Sequence, residues 1–256
     1  DFSGFPHYAE MPNLNHFASL GFPFTKYADL SQTVVVLPER PSPPDIEALL
    51  ALMGRMGEST GSPATGVRVA DGKDESLLAD ADVLVIGAAT QQSLLRQWAG
   101  HLPVAIAGAS RRISQPFRPV AAAYDWLGLG GRDAGAAVQV SLDGGGPLAA
   151  LLGFESPVAS GRSVVALTAA APDQLARAVD AMEDRELRRA MLGSAVFIHP
   201  AKVESLRVGA SYSVGFLPPW AGLWYWLSDH PWLLAALAAA ALSLAGYAAW
   251  RLKKAV

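Results

Sequence analysis

Five histidines, 23 carboxylates and no cysteine form the chemical inventory of this 256-residue chain. His7, His16, His101, His199 and His230 are scattered, none three or four residues from another, so no helical metal-ligand spacing emerges. Without cysteine, thiolate metal sites and a disulfide framework are excluded. No G-x-S-x-G elbow is present to activate a serine. Two stretches imitate phosphate sites. "STGSPATG" (Ser59–Gly66) has the hydroxyls and glycines of a phosphate loop. A doubly wound sheet, however, binds phosphate between a strand's carboxyl end and the next helix, where free N–H groups face the anion. That place is held by "LPERPSPPD", whose Pro38, Pro41, Pro43 and Pro44 have no N–H to donate. Ser59–Gly66 follows a helix instead and is expected to be its C-cap and turn. "RELRR" (Arg185–Arg189) has the two-arginine spacing with which planar guanidinium forks can grip a cyclic dinucleotide. Asp180, Glu183, Asp184 and Glu186 surround it, so a solvated, ion-paired helix face is expected.

A third feature is aromatic. Phe2, Phe5, Tyr8, Phe17, Phe22, Phe24 and Tyr27 crowd the first 27 residues. Such rings can stack on sugars, or they can seal a domain edge, where aromatics are also favoured. Phe22, Phe24 and Tyr27 are the candidates for either sugar contact or domain packing.

The elements that would position these groups alternate. "TVVVLP" (Thr33–Pro38) reads as a short buried strand and "PPDIEALLALMGRMG" as a helix with Ile46, Leu49, Leu50 and Met53 on one face. "TGVRVA", "ADVLVIG" and a stretch around 103–107 read as further strands, with a helix over 91–98. "SVVALTAA", "GSAVFIHP" and "ESLRVGASYSVG" read as strands, with "PDQLARAVDAMED" as a helix. Residues 110–146 are looser, with Gly128–Gly131 and Gly144–Gly146, next to Asp143, marking turns. Near-continuous apolar strands taking turns with helices imply a mostly parallel sheet covered on both faces.

The C-terminus departs from this. From Trp232 to Trp250 nineteen residues carry no charge, a helix of about 28 Å against a hydrocarbon core of about 30 Å. Trp232 marks one end, and Tyr247, Trp250 and the cations Arg251, Lys253 and Lys254 mark the other, which predicts a transmembrane helix with a cytoplasmic C-terminus. Ala235, Ala239, Ser243 and Gly246 form a small-residue stripe for close approach of a partner helix. Just before it, Trp220, Leu223, Trp224 and Leu227 recur at helical spacing after Pro218 and Pro219. This predicts an amphipathic helix lying in the lipid interface.

The charge balance agrees. Of 20 basic side chains three are the terminal cations, so residues 1–250 hold 17 against 23 acids, a net charge of −6. That acidic body offers no footprint for nucleic acid. The chain begins at Asp1 with no signal peptide and is expected to be a processed or truncated piece with further domains before it.

"MPNLNHFASLGFPFTKYADLSQTVVVLPERP" (Met11–Pro41), with "TGSPA", "ADVLVIG", "GFESP", "GRSVVAL", "SLRVG" and the Trp-rich tail, resembles the BcsB family, the periplasmic components of bacterial cellulose synthases, over essentially the whole chain. The resemblance implies the end of a β, carbohydrate-binding-like domain and linker over 1–30, and a flavodoxin-like α/β domain over 31–215. It further implies an interfacial helix over 216–229, a transmembrane helix over 231–252 and a cytoplasmic tail over 253–256. It implies a non-catalytic inner-membrane subunit with a periplasmic body and no cofactor of its own. The lipid bilayer and the membrane-embedded catalytic subunit, which responds to cyclic di-GMP, are its implied partners, with the nascent glucan and further copies of itself as additional candidates. A carbohydrate-binding module and a membrane-tethered flavodoxin-like enzyme are the alternative readings.

Overall fold

The computed structural model describes residues 7–107, 110–113, 149–200, 202–228 and 230–255. The glycine turns expected at Gly128–Gly131 and Gly144–Gly146, together with Phe2 and Phe5, lie outside the described residues. In chain order the elements are β1 (His7–Met11), α1 (Leu14–Leu20), β2 (Thr33–Val36), α2 (Pro43–Thr60), β3 (Arg68–Ala70), α3 (Glu75–Ala79), β4 (Asp82–Ile86) and α4 (Ser93–Gln97). Then come β5 (Val104–Ala107), β6 (Ser110–Ile113), β7 (Ala149–Glu155), β8 (Ser163–Ala169), α5 (Leu175–Glu183), α6 (Arg185–Arg189), β9 (Ala195–Ile198), β10 (Val203–Leu206) and β11 (Tyr212–Phe216). Two helices, α7 (Pro219–Ser228) and α8 (Pro231–Ala255), close the chain. Residues 10–214 form one compact unit; residues 1–9 with 215–256 form a second.

The main sheet runs β10-β9-β7-β8-β4-β2-β3. β3, β2, β4 and β8 are mutually parallel, whereas β7 is antiparallel to both β8 and β9, and β10 is antiparallel to β9. Five of the seven strands, β3, β2, β4, β8 and β9, thus run the same way, as expected of a mostly parallel sheet, while β7 and β10 run against them and make it mixed. β7 ("AALLGFE") is a strand that the sequence pattern does not announce, and it separates β8 from β9. A second departure is the strand at 104–107, which leaves the main sheet and pairs with β6 as a separate antiparallel ribbon.

Burial on both faces follows from the apolar strands. Val35, Leu84, Ile86, Leu151, Val165 and Leu167 face one core with Leu52 and Met56 of α2 and Leu175 and Met182 of α5. Val34, Val36, Val83, Val85, Val164 and Phe197 face the other, with Leu78 of α3 and Leu94 and Trp98 around α4. Helix α2 is present but rotated from the expected face. Its buried row is Asp45, Ala48, Leu52 and Met56, which leaves Leu50 65% exposed. The reason is that α1, α5 and the sheet all press on one side of α2, and Asp45 turns inward to cap it. The lead-in from Glu10 onward, expected as the end of a preceding domain, packs within the α/β unit through Leu14, Phe17, Phe24 and Leu30. Gly153 permits this, since a Cβ there would come within 3.0 Å of Pro12.

The amino ends of the parallel strands are tied by a buried polar cluster. Asp82 Oδ1 accepts from Ser163 N at 2.8 Å, and its other oxygen lies 3.7 Å from the Arg162 guanidinium, which donates to Gln32. Tyr212 OH donates to Ser163 Oγ at 2.8 Å. Burial pushes the Asp82 carboxyl above its ordinary range, against the opposing pull of Ser163 N–H and Arg162. A carboxyl whose folded pKa is raised stabilises the fold while protonated, and that contribution is lost as pH rises through the raised value. Asp82→Asn keeps an acceptor for Ser163 N but cannot ionise. Relative to wild type, its urea-unfolding stability should therefore improve as pH rises from the ordinary carboxyl range and level off once the folded Asp82 has ionised. A difference independent of pH would show that Asp82 ionises in the fold as freely as in the unfolded chain.

Candidate functional site

A doubly wound sheet binds ligands outside the carboxyl ends of its strands, at the point where strand order reverses. Here that point lies between β2 and β4, and the chain's own side chains occupy it. Gln92 is fully buried, and its Nε2 donates to Val36 O at 3.3 Å and Ile86 O at 2.9 Å, the last carbonyls of β2 and β4. Its Oε1 accepts from Leu94 N and so starts α4. Pro38 covers the same spot: a Cβ on Gly87, whose φ is +143°, would lie 2.7 Å from the proline ring. At the amino end of α2 the first-turn prolines Pro43 and Pro44 withhold two donors. The Asp45 carboxylate, fully buried, accepts from Ser42 N at 2.7 Å and from Ser42 Oγ at 2.6 Å. An internal carboxylate thus sits where an anionic ligand would meet the helix dipole. "STGSPATG" ends α2 with Gly61 in the left-handed conformation, φ +67°, the expected cap and turn. Among the described residues, no three His, Asp or Glu side chains converge on a metal-sized space.

Of the lead-in rings, Phe24 is only 2% exposed and meets Phe17 edge-on at 5.7 Å, so it has no free face for a sugar. Phe22 is half-buried against His16. Tyr27 is 43% exposed, with Lys26 Nζ 5.6 Å from its ring centre. In "RELRR", Arg185 and Arg189 face solvent, and Arg189 pairs with Glu186 at 3.1 Å. Arg188 instead folds back to donate to Met182 O.

The second unit carries the other candidate surface. In α7, Trp220 (74% exposed), Leu223 and Trp224 are exposed and Leu227 is half-buried. Beyond the break between the two helices, Leu233 N and Leu234 N bond to His230 O and start α8. Along α8, Ala235, Ala239, Ser243 and Gly246 are exposed, as are Trp232, Leu237, Leu242 (74%), Leu244 and Trp250. Ser243 Oγ donates to Ala239 O at 2.8 Å, which satisfies the hydroxyl within the helix. A Cβ on Gly246 would meet nothing within 4 Å. Lys254 Nζ lies 3.9 Å from the centre of the Trp250 ring; the side chains of Arg251 and Lys253 lie outside the described residues. The α8 backbone runs 25 residues. Among the described residues, no helix is long and apolar enough to cross a membrane. Side chains in α8 are described without a break only over 232–247, about 24 Å of helix.

The family model for cellulose synthase BcsB, second FD domain, matches residues 7–167. A cyclic di-GMP-binding protein of Salmonella typhi is 38% identical over 252 residues, 98% of this chain and 32% of its own length. One of the same name from Escherichia coli K12 is 36% identical over the same extent. Cellulose synthase 1 of Komagataeibacter xylinus is 34% identical over 239 residues, 90% of this chain and 15% of its own. The chain spans about a third of the length of the cyclic di-GMP-binding relatives.

Gln92 belongs to no sequence motif; a lone glutamine between a strand and a helix carries no pattern. Truncating it to alanine strips two buried strand carbonyls of their donor, at roughly 1–3 kcal/mol each. Gln92→Ala should therefore destabilise residues 10–214 by about 2–6 kcal/mol in urea unfolding. A loss below about 1 kcal/mol would mean that water replaces the amide there.

Proposed function

The chain belongs to the BcsB family of cellulose synthase subunits, and from that premise we propose that it is a non-catalytic, membrane-anchored part of such a synthase. The observation that carries this reading is the apolar surface of α7 and α8, where tryptophans and leucines remain exposed along two successive helices. At about 25 cal/mol per Å² that surface is costly in water, and contiguous apolar patches of this kind mark a partner or a lipid phase. Residues 216–229 then lie in the lipid interface through Trp220, Leu223, Trp224 and Leu227. Residues 231–252 span the inner membrane, and Arg251, Lys253 and Lys254 hold the C-terminus in the cytoplasm. The acidic α/β body faces the periplasm. The small stripe Ala235, Ala239, Ser243 and Gly246 meets a helix of the membrane-embedded catalytic subunit, supporting glucan synthesis and guiding its export.

The cyclic di-GMP for which these relatives are named acts, on this reading, through the complex, at the catalytic partner's cytoplasmic side. The flavodoxin-like enzyme reading loses its phosphate site to Asp45, Gln92 and the prolines. Of Phe22, Phe24 and Tyr27, Tyr27 is the most exposed and is the ring we assign to glucan contact.

The test is reconstitution with the catalytic subunit. Ala239→Phe with Gly246→Leu should lower co-purification and glucan synthesis about tenfold or more, because two large side chains part helices that must nearly touch. Neither residue is buried within this chain, so the fold should be unaffected. An intact complex with full activity would remove the packing role from that face.

A further inference from the structure

Arg188, the one half-buried arginine of "RELRR", does not act with its sequence neighbours. It lines a surface depression of about 390 Å³ between α1, α2 and α6, together with Arg55, Ser19, Leu20, Glu58 and Ser59. The size falls within the range of small-ligand sites. The chemistry of its wall is lopsided. Ala18 O is taken by Arg55 Nη2 at 2.9 Å and Met182 O by Arg188 Nη1 at 3.0 Å. Leu20 O is taken twice, by Thr25 Oγ1 at 2.9 Å and Ser59 Oγ at 3.0 Å. These carbonyls are spent, while each guanidinium keeps further N–H donors. Asn15 Nδ2 bonds to Arg188 O and ties α6 to α1, so both forks are held by backbone contacts before any ligand arrives.

Charge points the same way. Among the described residues, neither Arg55 nor Arg188 makes an ion pair with a carboxylate. Burial first, and then the charge of Arg188, disfavour the charged form of Arg55; Glu183 and Glu58 oppose this from the flanks. A guanidinium stays protonated regardless. Glu183 and Glu58 offset the repulsion between the two guanidinium groups only in part, and an anion between them would lower it further.

We propose that this depression is an oxyanion site in which Arg55 and Arg188 together hold one phosphate group. Two planar forks supply paired N–H bonds to a tetrahedral anion, which lysines could not reproduce. Ser19 adds a hydroxyl at the rim. The phosphate can belong to a soluble ester or to a lipid headgroup. The site does not depend on the membrane reading of α7 and α8.

The experiment is calorimetric titration of the full chain in phosphate-free buffer at fixed ionic strength. The probes are inorganic phosphate, glucose 6-phosphate and dihexanoyl phosphatidylglycerol below its micelle-forming concentration. Saturable uptake of at least one is expected. Arg188→Gln and Arg55→Gln should each weaken it about tenfold, while Arg185→Gln changes it less than about twofold. Arg188→Lys, which keeps the charge but not the fork, should weaken it as well, and this variant tests the site should Arg55→Gln fail to fold. Preference for the soluble esters assigns the phosphate to a soluble ligand, and preference for the lipid assigns it to a headgroup. No saturable binding of any probe, or equal loss in Arg185→Gln, would overturn the proposal.

Discussion

A sheet buried on both faces gathers strand carbonyls at one end and helix N–H groups beside them, and neither set can be left without partners. In doubly wound folds a bound anion commonly meets the N–H groups at the switch point. In this chain side chains answer both needs: Gln92 takes the last carbonyls of β2 and β4, and Asp45 takes the backbone N–H of Ser42 at the start of α2. Much follows from that. Pro38 can close over Gly87, and the ends of β2 and β4 find their partners within the chain itself. The opposite end uses the same device, with Asp82, Ser163 and Tyr212 tying the first residues of β4, β8 and β11.

A scaffold sealed in this way leaves function to its surfaces. Two surfaces differ in kind from the rest. One is apolar, along α7 and α8, where Trp220 and Leu242 are each 74% exposed. The other holds two cations, Arg55 and Arg188, in a depression that Glu58 also lines, with the carbonyls of Ala18 and Met182 already taken. The first suits lipid and a partner helix, the second an oxyanion. Neither requires the chemistry of a flavin or a nucleotide at the switch point.

Much of the architecture was legible because the strands are short, apolar runs. "TVVV", "DVLVI" and "AVFI" are buried at every residue, which an apolar run announces directly. β7 is buried at every residue except the last, Glu155, yet it follows a glycine-rich stretch and no pattern in the sequence marks it as a strand. Its antiparallel direction has no local signature, because direction is set by which neighbours it joins. The period of α2 was readable but its phase was not. Ile46, Leu49, Leu50 and Met53 form an apolar row, and the row actually buried, from Ala48 to Met56, lies beside it. Packing on α5 and the sheet, with Asp45 turned inward to Ser42, set the buried face rather than the hydrophobicity of either row.

What the sequence determined by itself was local: apolar strands, the proline-barred start of α2, the glycine cap at Gly61, and a charge-free tail ending in cations. Each rests on backbone stereochemistry or on hydrophobicity summed over neighbours in the chain. Tertiary structure decided everything that needs two distant segments to meet. "RELRR" advertised a pair of arginines four residues apart, yet those two point to water, and Arg188 between them joins Arg55 from another helix. Spacing along a helix sets which side chains share a face. Which face meets another element is fixed only when the core packs, and that is where the paired charge of this chain arises.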